Sequence, residues 1–118
     1  FLTRMRRSIL GAFGPDADKM YPARSVLDAG VTWIGSSDAP TGHVSPWVGM
    51  ANAVDRGASL GSPIGPDEAL TPRQALGSYV HGGAFVMKHE DWRGTLARAG
   101  RALDSAQPSL APGPEKQP

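Results

Sequence analysis

The sequence predicts an α/β fold that is mostly helical and carries one clear strand. Three observations lead there. The run Val31-Thr32-Trp33-Ile34, bounded by Gly30 and Gly35, is β-branched and aromatic, as suits a buried strand. Just before it a short helical segment closes on a glycine, so helix, glycine and strand form one compact αβ unit. Further on, Thr71-Pro72-Arg73-Gln74 has the spacing of a capping box with proline at the first helical position, the start signal of a long helix.

Taken in order, residues 1–13 set Leu2, Met5, Ile9, Leu10 and Phe13 on a helical stripe, which Gly14-Pro15-Asp16 ends. Tyr21-Pro22 opens a second helix over 23–29, with Val26 and Leu27 inward and Gly30 as its C-cap glycine. The strand over 31–35 follows, and Pro40 bars its continuation. A single strand leaves both edges unpaired, so its neighbours have to come from elsewhere. After a polar loop, Ser45 as N-cap and Pro46 at the first position start a third helix that runs through Met50, Ala53 and Val54 to Arg56. Residues 57–66, rich in Gly, Ser and Pro, read as loop. The fourth helix, Thr71 to Met87, shows an apolar face of Ala75, Leu76, Tyr79, Val80, Gly83, Ala84 and Met87. Its glycines 77, 82 and 83 weaken it in isolation but permit close packing. From Ala106 to Pro118 four prolines and almost no apolar side chains predict a disordered tail.

With 118 residues the chain is at most one domain, and its 40% apolar content suffices for a modest core. A net charge of +1 is too small to argue for nucleic acid or a membrane surface, and Arg4, Arg6 and Arg7 read as a solvated helix face. The absence of cysteine excludes disulfides, thiolate metal sites and a cysteine nucleophile. No apolar run approaches the roughly 20 residues that span a bilayer, and there is no export signal, so a cytoplasmic location is expected. The first residue is Phe1 rather than Met, from which we expect a processed protein or the tail of a longer one.

The candidate chemistry centres on Asp38. It leaves the strand's C-terminal end behind Gly35-Ser36-Ser37, where open sheets and barrels hold their reacting groups. A lone carboxylate there is either a turn residue or a catalyst. His43, five residues on, lies in the loop that would rim a pocket, either as a substrate contact or as a plain loop histidine. His81 and His89 read as surface or interface residues. Ser36 and Ser37 lack the glycine-flanked elbow of serine hydrolases, and residues 57–65 lack a phosphate-loop lysine. Trp33 and Trp47 read as core and pocket wall rather than as a stacking platform for single strands.

Along the chain stand, in order, Leu27-Asp28-Ala29-Gly30-Val31, Ser37-Asp38-Ala39-Pro40, Pro46-Trp47-Val48-Gly49-Met50, Ala53-Val54-Asp55-Arg56 and Glu68-Ala69-Leu70-Thr71. Gln74-Ala75-Leu76 with Tyr79 follows, and then Glu90-Asp91-Trp92-Arg93-Gly94-Thr95-Leu96. In that order and spacing, roughly residues 15–96 resemble the C-terminal third of a metal-dependent amidohydrolase of family 3, the branch of the YtcJ-like hydrolases. The resemblance implies that residues 1–96 are the C-terminal piece of a (β/α)8 TIM barrel. Residues 97–105 would be a degenerate return toward a β-sandwich, with Gly100-Arg101-Ala102-Leu103-Asp104 a distorted echo of the family pattern, and 106–118 the tail.

The resemblance further implies that the segment at Val31 is the last barrel strand. Asp38 at its mouth would be the catalytic residue that binds or neighbours the metal and takes the proton from the attacking water. A divalent metal, zinc by expectation, belongs to the full-length parent. The family's His-x-His pair, bridging carboxylate or modified lysine, and two further histidines have no counterpart in His43, His81 or His89. The chain alone is therefore expected to bind zinc weakly and to be inactive. The implied reaction is hydrolysis of a C–N bond other than a peptide bond, in a small-molecule substrate, by metal-activated water. A reading from another class is a small helical interaction module without catalysis, supported by the short length, the glycine-lined fourth helix and the incomplete site. With apolar faces shaped for a larger sheet, the isolated chain is expected to self-associate.

Overall fold

The computed structural model describes residues 1–91, 93 and 94. The first helix, α1, spans Arg6–Phe13. A turn leads into it, with the Met5 N–H donating to the Phe1 carbonyl at 2.8 Å and the Ile9 N–H to Met5 at 2.9 Å. Of the expected stripe only Leu2 and Ile9 are buried, while Met5, Leu10 and Phe13 stay exposed. The cause is a 3-10 turn over Gly14–Lys19 that folds Ala17 back against Leu2 and Ile9 and covers only that side of α1.

The second helix, α2, spans Ala23–Asp28 and ends as its glycine predicts. Gly30 takes φ +76°. Its N–H donates to Leu27 at 2.9 Å and the Val31 N–H reaches back to Val26 at 3.1 Å, the paired bonds of a Schellman motif. Pro22 has no side-chain oxygen to cap the other end. Glu68, far along the chain, does so instead: its carboxylate accepts the Ser25 N–H at 2.9 Å and also the Ser25 hydroxyl.

The expected strand does not form. Among the described residues there is no strand and no sheet, so the α/β assignment with one clear barrel strand is corrected to an all-helical arrangement with an extended connector. Residues 31–37 run extended, and beyond the Val31 N–H bond that closes α2 their one backbone bond to another element is Gly35 N–H to the Ser78 carbonyl at 3.1 Å. β-Branched composition favours an extended backbone, but a strand also needs a ladder of main-chain partners, and none of the described residues supplies one. Val31, intended for the interior, is 56% exposed as a result.

The third helix, α3, spans Pro46–Asp55 with Pro46 at its first turn. Ser45 holds the N-cap position without using its hydroxyl; its N–H donates to His43 Nδ1 at 3.1 Å. The fourth helix, α4, spans Pro72–Val86 and opens with the complete capping box. The Gln74 N–H donates to Thr71 Oγ1 at 3.2 Å, and the Thr71 N–H donates to Gln74 Oε1 at 2.9 Å.

The buried face of α4 departs from the expected one. Ala75, Ser78, Gly82 and Ala84 are buried, whereas Leu76, Val80, Phe85, Val86 and Met87 are exposed. The extended connector presses on the small residues: a β-carbon at Gly82 would fall 2.9 Å from the Trp33 carbonyl oxygen and 3.2 Å from Ile34 Cα. Backbone packed that closely leaves no room for larger side chains, so they turn outward.

Two small cores hold the chain. Leu2, Ile9, Ala17 and Ile64 form one, with Met20 and Tyr21 against it. Ala23, Leu70 and Ala75 form the other, flanked by Leu27, Trp33, Met50, Ala53 and Val54. Among the described residues no helix is long and apolar enough to cross a membrane. The expectations for Trp92 and for residues 95–118, the degenerate return and the tail included, lie outside the described residues.

Candidate functional site

Asp38 closes a tight turn of its own. It takes φ +47°, a left-handed conformation that a short polar side chain tolerates better than most. Its carbonyl accepts the Thr41 N–H at 2.9 Å and the Gly42 N–H at 3.3 Å, and its own N–H leans on Ser36 Oγ at 3.4 Å. Arg4 tethers the far side of the turn by donating to the Pro40 carbonyl at 3.4 Å. A β-carbon at Gly42 would overlap the Ser37 carbonyl oxygen, so the turn closes only on glycine there. With the turn fixed by its backbone, the Asp38 carboxylate is left exposed.

Asp38 lines a cavity of about 310 Å³ between the connector, α3 and α4, walled by Tyr21, Trp33, Ser36, Asn52, Arg56 and Tyr79 among others. His43 is exposed and lines an adjoining cavity of about 230 Å³ with Arg4, Ser37 and Val48. The two share Phe1, Ser36, Gly49, Asn52 and Tyr79, so they form one trough with Asp38 toward one end and His43 toward the other. The two candidates picked out by sequence are thus neighbours in space but do not face a common point. His81 lines a separate cavity with Thr32 and Gln74, and His89 is half-buried beyond the end of α4.

Among the described residues no three His, Cys, Asp or Glu side chains converge where they could hold a metal ion. Asp38 is the one acidic residue lining its cavity. The donor set around it therefore does not fit a divalent metal by itself, which wants at least three protein ligands.

Two residues of the trough were not legible as such. Tyr79 packs its ring where β-carbons of Gly35 and Gly49 would stand: one at Gly35 would fall 2.7 Å from Tyr79 Cδ2 and one at Gly49 would overlap the phenolic oxygen. Burial pushes the Tyr79 phenol above its ordinary pKa. Arg56 is 2% exposed and bonds to four backbone carbonyls. Its Nε donates to Ile64 and Gly65 at 2.8 and 3.1 Å, Nη1 to Tyr21 at 3.0 Å and Nη2 to Met20 at 2.8 Å. Desolvation lowers its pKa from the usual guanidinium value, opposed by the nearby carboxylates of Glu68 and Asp18. The hint in the sequence was a lone arginine between an apolar helix and Gly57, which by itself says only that a helix ends.

A further cavity, of about 520 Å³, lies elsewhere, between the outer sides of α3 and α4, and is lined by Trp47, Met50, Val54, Pro72 and Leu76 with Asp55 as its one charged group. It offers apolar surface but no reacting pair.

The family model described as "Amidohydrolase family" matches residues 5–102. The chain belongs to this amidohydrolase family. It is also similar to the N-substituted formamide deformylase of Arthrobacter pascens, 39% identical over 84 residues, which make up 71% of this chain and 16% of that protein. The chain spans about one sixth of the length of that curated relative. No solved structure matches it. The match takes in the Asp38 turn and the Tyr79 helix together, and so the whole trough apart from Phe1, Leu2, Thr3 and Arg4.

Proposed function

We propose that this chain is the part of a C–N hydrolase that contributes the carboxylate Asp38, acting on a small N-substituted amide of the formamide class. The observation that carries the reading is the 39% identity to a deformylase across a stretch of 84 residues. Support from the site is that Asp38 stands exposed on a rigid turn at the wall of a cavity sized for a small molecule. In the reaction, water adds to the formyl carbon and the C–N bond breaks, giving the free amine and formic acid. Asp38 takes the proton from the water and returns it to the departing nitrogen. The family resemblance brings a divalent metal, zinc by expectation, for the whole enzyme. The described residues do not assemble its ligands.

In a longer protein carrying this chain, Asp38→Asn should keep the fold and lower turnover by about 10²- to 10⁴-fold, the usual contribution of a general base. Retention of more than about a tenth of the wild-type rate would remove Asp38 from the chemistry. The isolated chain should bind zinc only weakly in a calorimetric titration. One-to-one binding tighter than about a micromolar that is lost in Asp38→Asn would overturn the view that the ligands lie elsewhere.

The apolar cavity between α3 and α4 favours a second reading, in which the chain works as a non-catalytic interaction module and associates with itself. Trp47 is 72% exposed there and Leu76 47%. Leu76→Asp should then dissolve any oligomer seen by sedimentation while leaving helicity unchanged, and a wild-type chain that is strictly monomeric would remove this reading.

A further inference from the structure

Several polar side chains of the trough, Asn52 and Asp38 among them, bond to no other described residue, and the Tyr79 hydroxyl is the one whose place is fixed by its surroundings. The Tyr79 hydroxyl makes no hydrogen bond to any described residue, although its ring lines both the Asp38 and the His43 cavities. It is also placed with little freedom. The ring sits across Gly35 and Gly49, where any side chain larger than hydrogen would collide with it, so connector and α3 together form a slot that fixes where the oxygen stands. A fixed, partly desolvated hydroxyl in a cavity wall that bonds to nothing in the chain is open to a bound ligand, whose acceptor atom would take the place of water there.

We infer that Tyr79 is a substrate-binding residue, donating its phenolic hydrogen to the carbonyl oxygen of a neutral amide held in the cavity beside Asp38. The inference rests on the reading of this trough as the substrate site and adds to it a second binding group, from α4, with a stated atom to bind.

Donation rather than acceptance follows from the environment. Burial disfavours the phenolate, so the hydroxyl keeps its proton through neutral and mildly alkaline pH. The neutrality of the ligand follows from the charges. The Asp38 carboxylate repels an anion, and the Arg56 guanidinium, the one cation lining that cavity, is committed to the carbonyls of Met20, Tyr21, Ile64 and Gly65. An amide oxygen, neutral and a strong acceptor, suits a lone O–H donor. Phe1, Tyr21 and Trp33 provide an apolar wall for the substituent on nitrogen.

The test is a binding measurement on the 118-residue chain with N-phenylformamide as probe and N-ethylaniline as a control of similar shape without the carbonyl, both followed by NMR shift titration. Loss of one such hydrogen bond corresponds to about a fivefold change in affinity. Tyr79→Phe should therefore weaken N-phenylformamide about fivefold or more and leave N-ethylaniline within about twofold. Gly49→Ala, which keeps the hydroxyl but displaces it, should give the same selective loss, so the result does not depend on one substitution. If Tyr79→Phe weakens both probes equally, the ring acts by packing alone and the inference fails. If it weakens neither while the probe shifts Ser36, Asn52 and Gly49, the trough remains the site and only Tyr79 is removed from it. If the probe binds the wild-type chain elsewhere or not at all, the reading of the trough fails and this inference with it.

Discussion

The loop over 56–68 and the turn over 36–43 both interrupt the helical framework, and they treat polar groups in opposite ways. In the first, charged side chains are used up in bonds to the chain itself. Arg56 serves four carbonyls, Asp18 Oδ1 accepts the Gly65 N–H at 2.6 Å and Glu68 caps α2. In the second, the backbone bonds mostly to itself and the acid is left over: Asp38 is exposed, His43 gives only Nδ1 to the Ser45 N–H, and the neighbouring Tyr79 hydroxyl bonds to no described residue. The contrast separates two meanings of a charged residue in a small fold. A charge whose bonds are all met inside the chain holds two segments together, whereas one held on a rigid turn and left open is available to a ligand. Burial alone would have ranked Arg56 above Asp38 as a site residue; the bonding pattern reverses that order.

The sharpest way to break this comparison is Arg56→Met. The apolar chain fills much of the space but leaves the carbonyls of Met20, Tyr21, Ile64 and Gly65 without donors. We expect a loss of about 3 kcal/mol or more in denaturant unfolding followed by circular dichroism, enough to abolish a cooperative transition in a chain this small. A loss under about 1 kcal/mol would mean that water satisfies those carbonyls and that the loop is not locked.

Next in size is Gly65→Ala. Gly65 has φ +57° and a β-carbon there would overlap the Asp18 carbonyl oxygen. Gly30 also has a left-handed φ, of +76°, but faces open space. Gly30→Ala should cost about 1 kcal/mol from backbone strain alone, and Gly65→Ala roughly 2 kcal/mol or more, from strain plus displacement of the locked segment. Equal losses would show that the contact with Asp18 relaxes freely.

A smaller effect comes with acid. The Ser25 hydroxyl, first, and the Ser25 N–H hold the Glu68 carboxyl below its ordinary pKa. Bonding from the Gly57 N–H does the same for Asp55. A folded-state pKa below the unfolded one contributes stability that is complete above the unfolded value, about 4.3 for glutamate, and is lost as pH falls through the folded value. The melting temperature should drop over that window, and Glu68→Gln should flatten part of the drop. A wild-type profile already flat from pH 6 to pH 3 would contradict the cap.

The smallest expected change is the most telling. Asp38→Asn should leave stability within about 0.5 kcal/mol, since the side chain is exposed and asparagine also tolerates the left-handed turn. A large loss would place Asp38 with Arg56 among the residues that hold the fold.

What the sequence made legible was local. Thr71 with Gln74, Pro46 and Gly30 set helix ends through bonds spanning three to five residues, and those ends stand where the pattern put them. The family was legible through motifs standing in order along the chain, and the family match bears that out. What was hidden depended on distant backbone. Residues 31–35 have the composition of a strand, but a ladder is a property of two segments. The face of α4 was misread because periodicity marks large apolar residues, while the close approach of Trp33 and Ile34 selected small ones. Arg56 finds its acceptors 35 and 36 positions away, at Tyr21 and Met20, and no spacing rule reaches that far.

The inverted packing of α4 bears on how this helix can change over generations. In most amphipathic helices the bulky apolar positions resist replacement and the small ones drift. Here Phe85 and Val86 face outward and can turn polar at little loss, while Gly82, pressed against the connector, admits nothing larger. Gly83, one residue on, meets nothing within 4 Å and should accept alanine with a gain in helix stability. A scan of every substitution along α4 would draw its line of intolerance through Ala75, Ser78 and Gly82. A reader of that map alone would take the least conspicuous side of the helix for its core, and would be right.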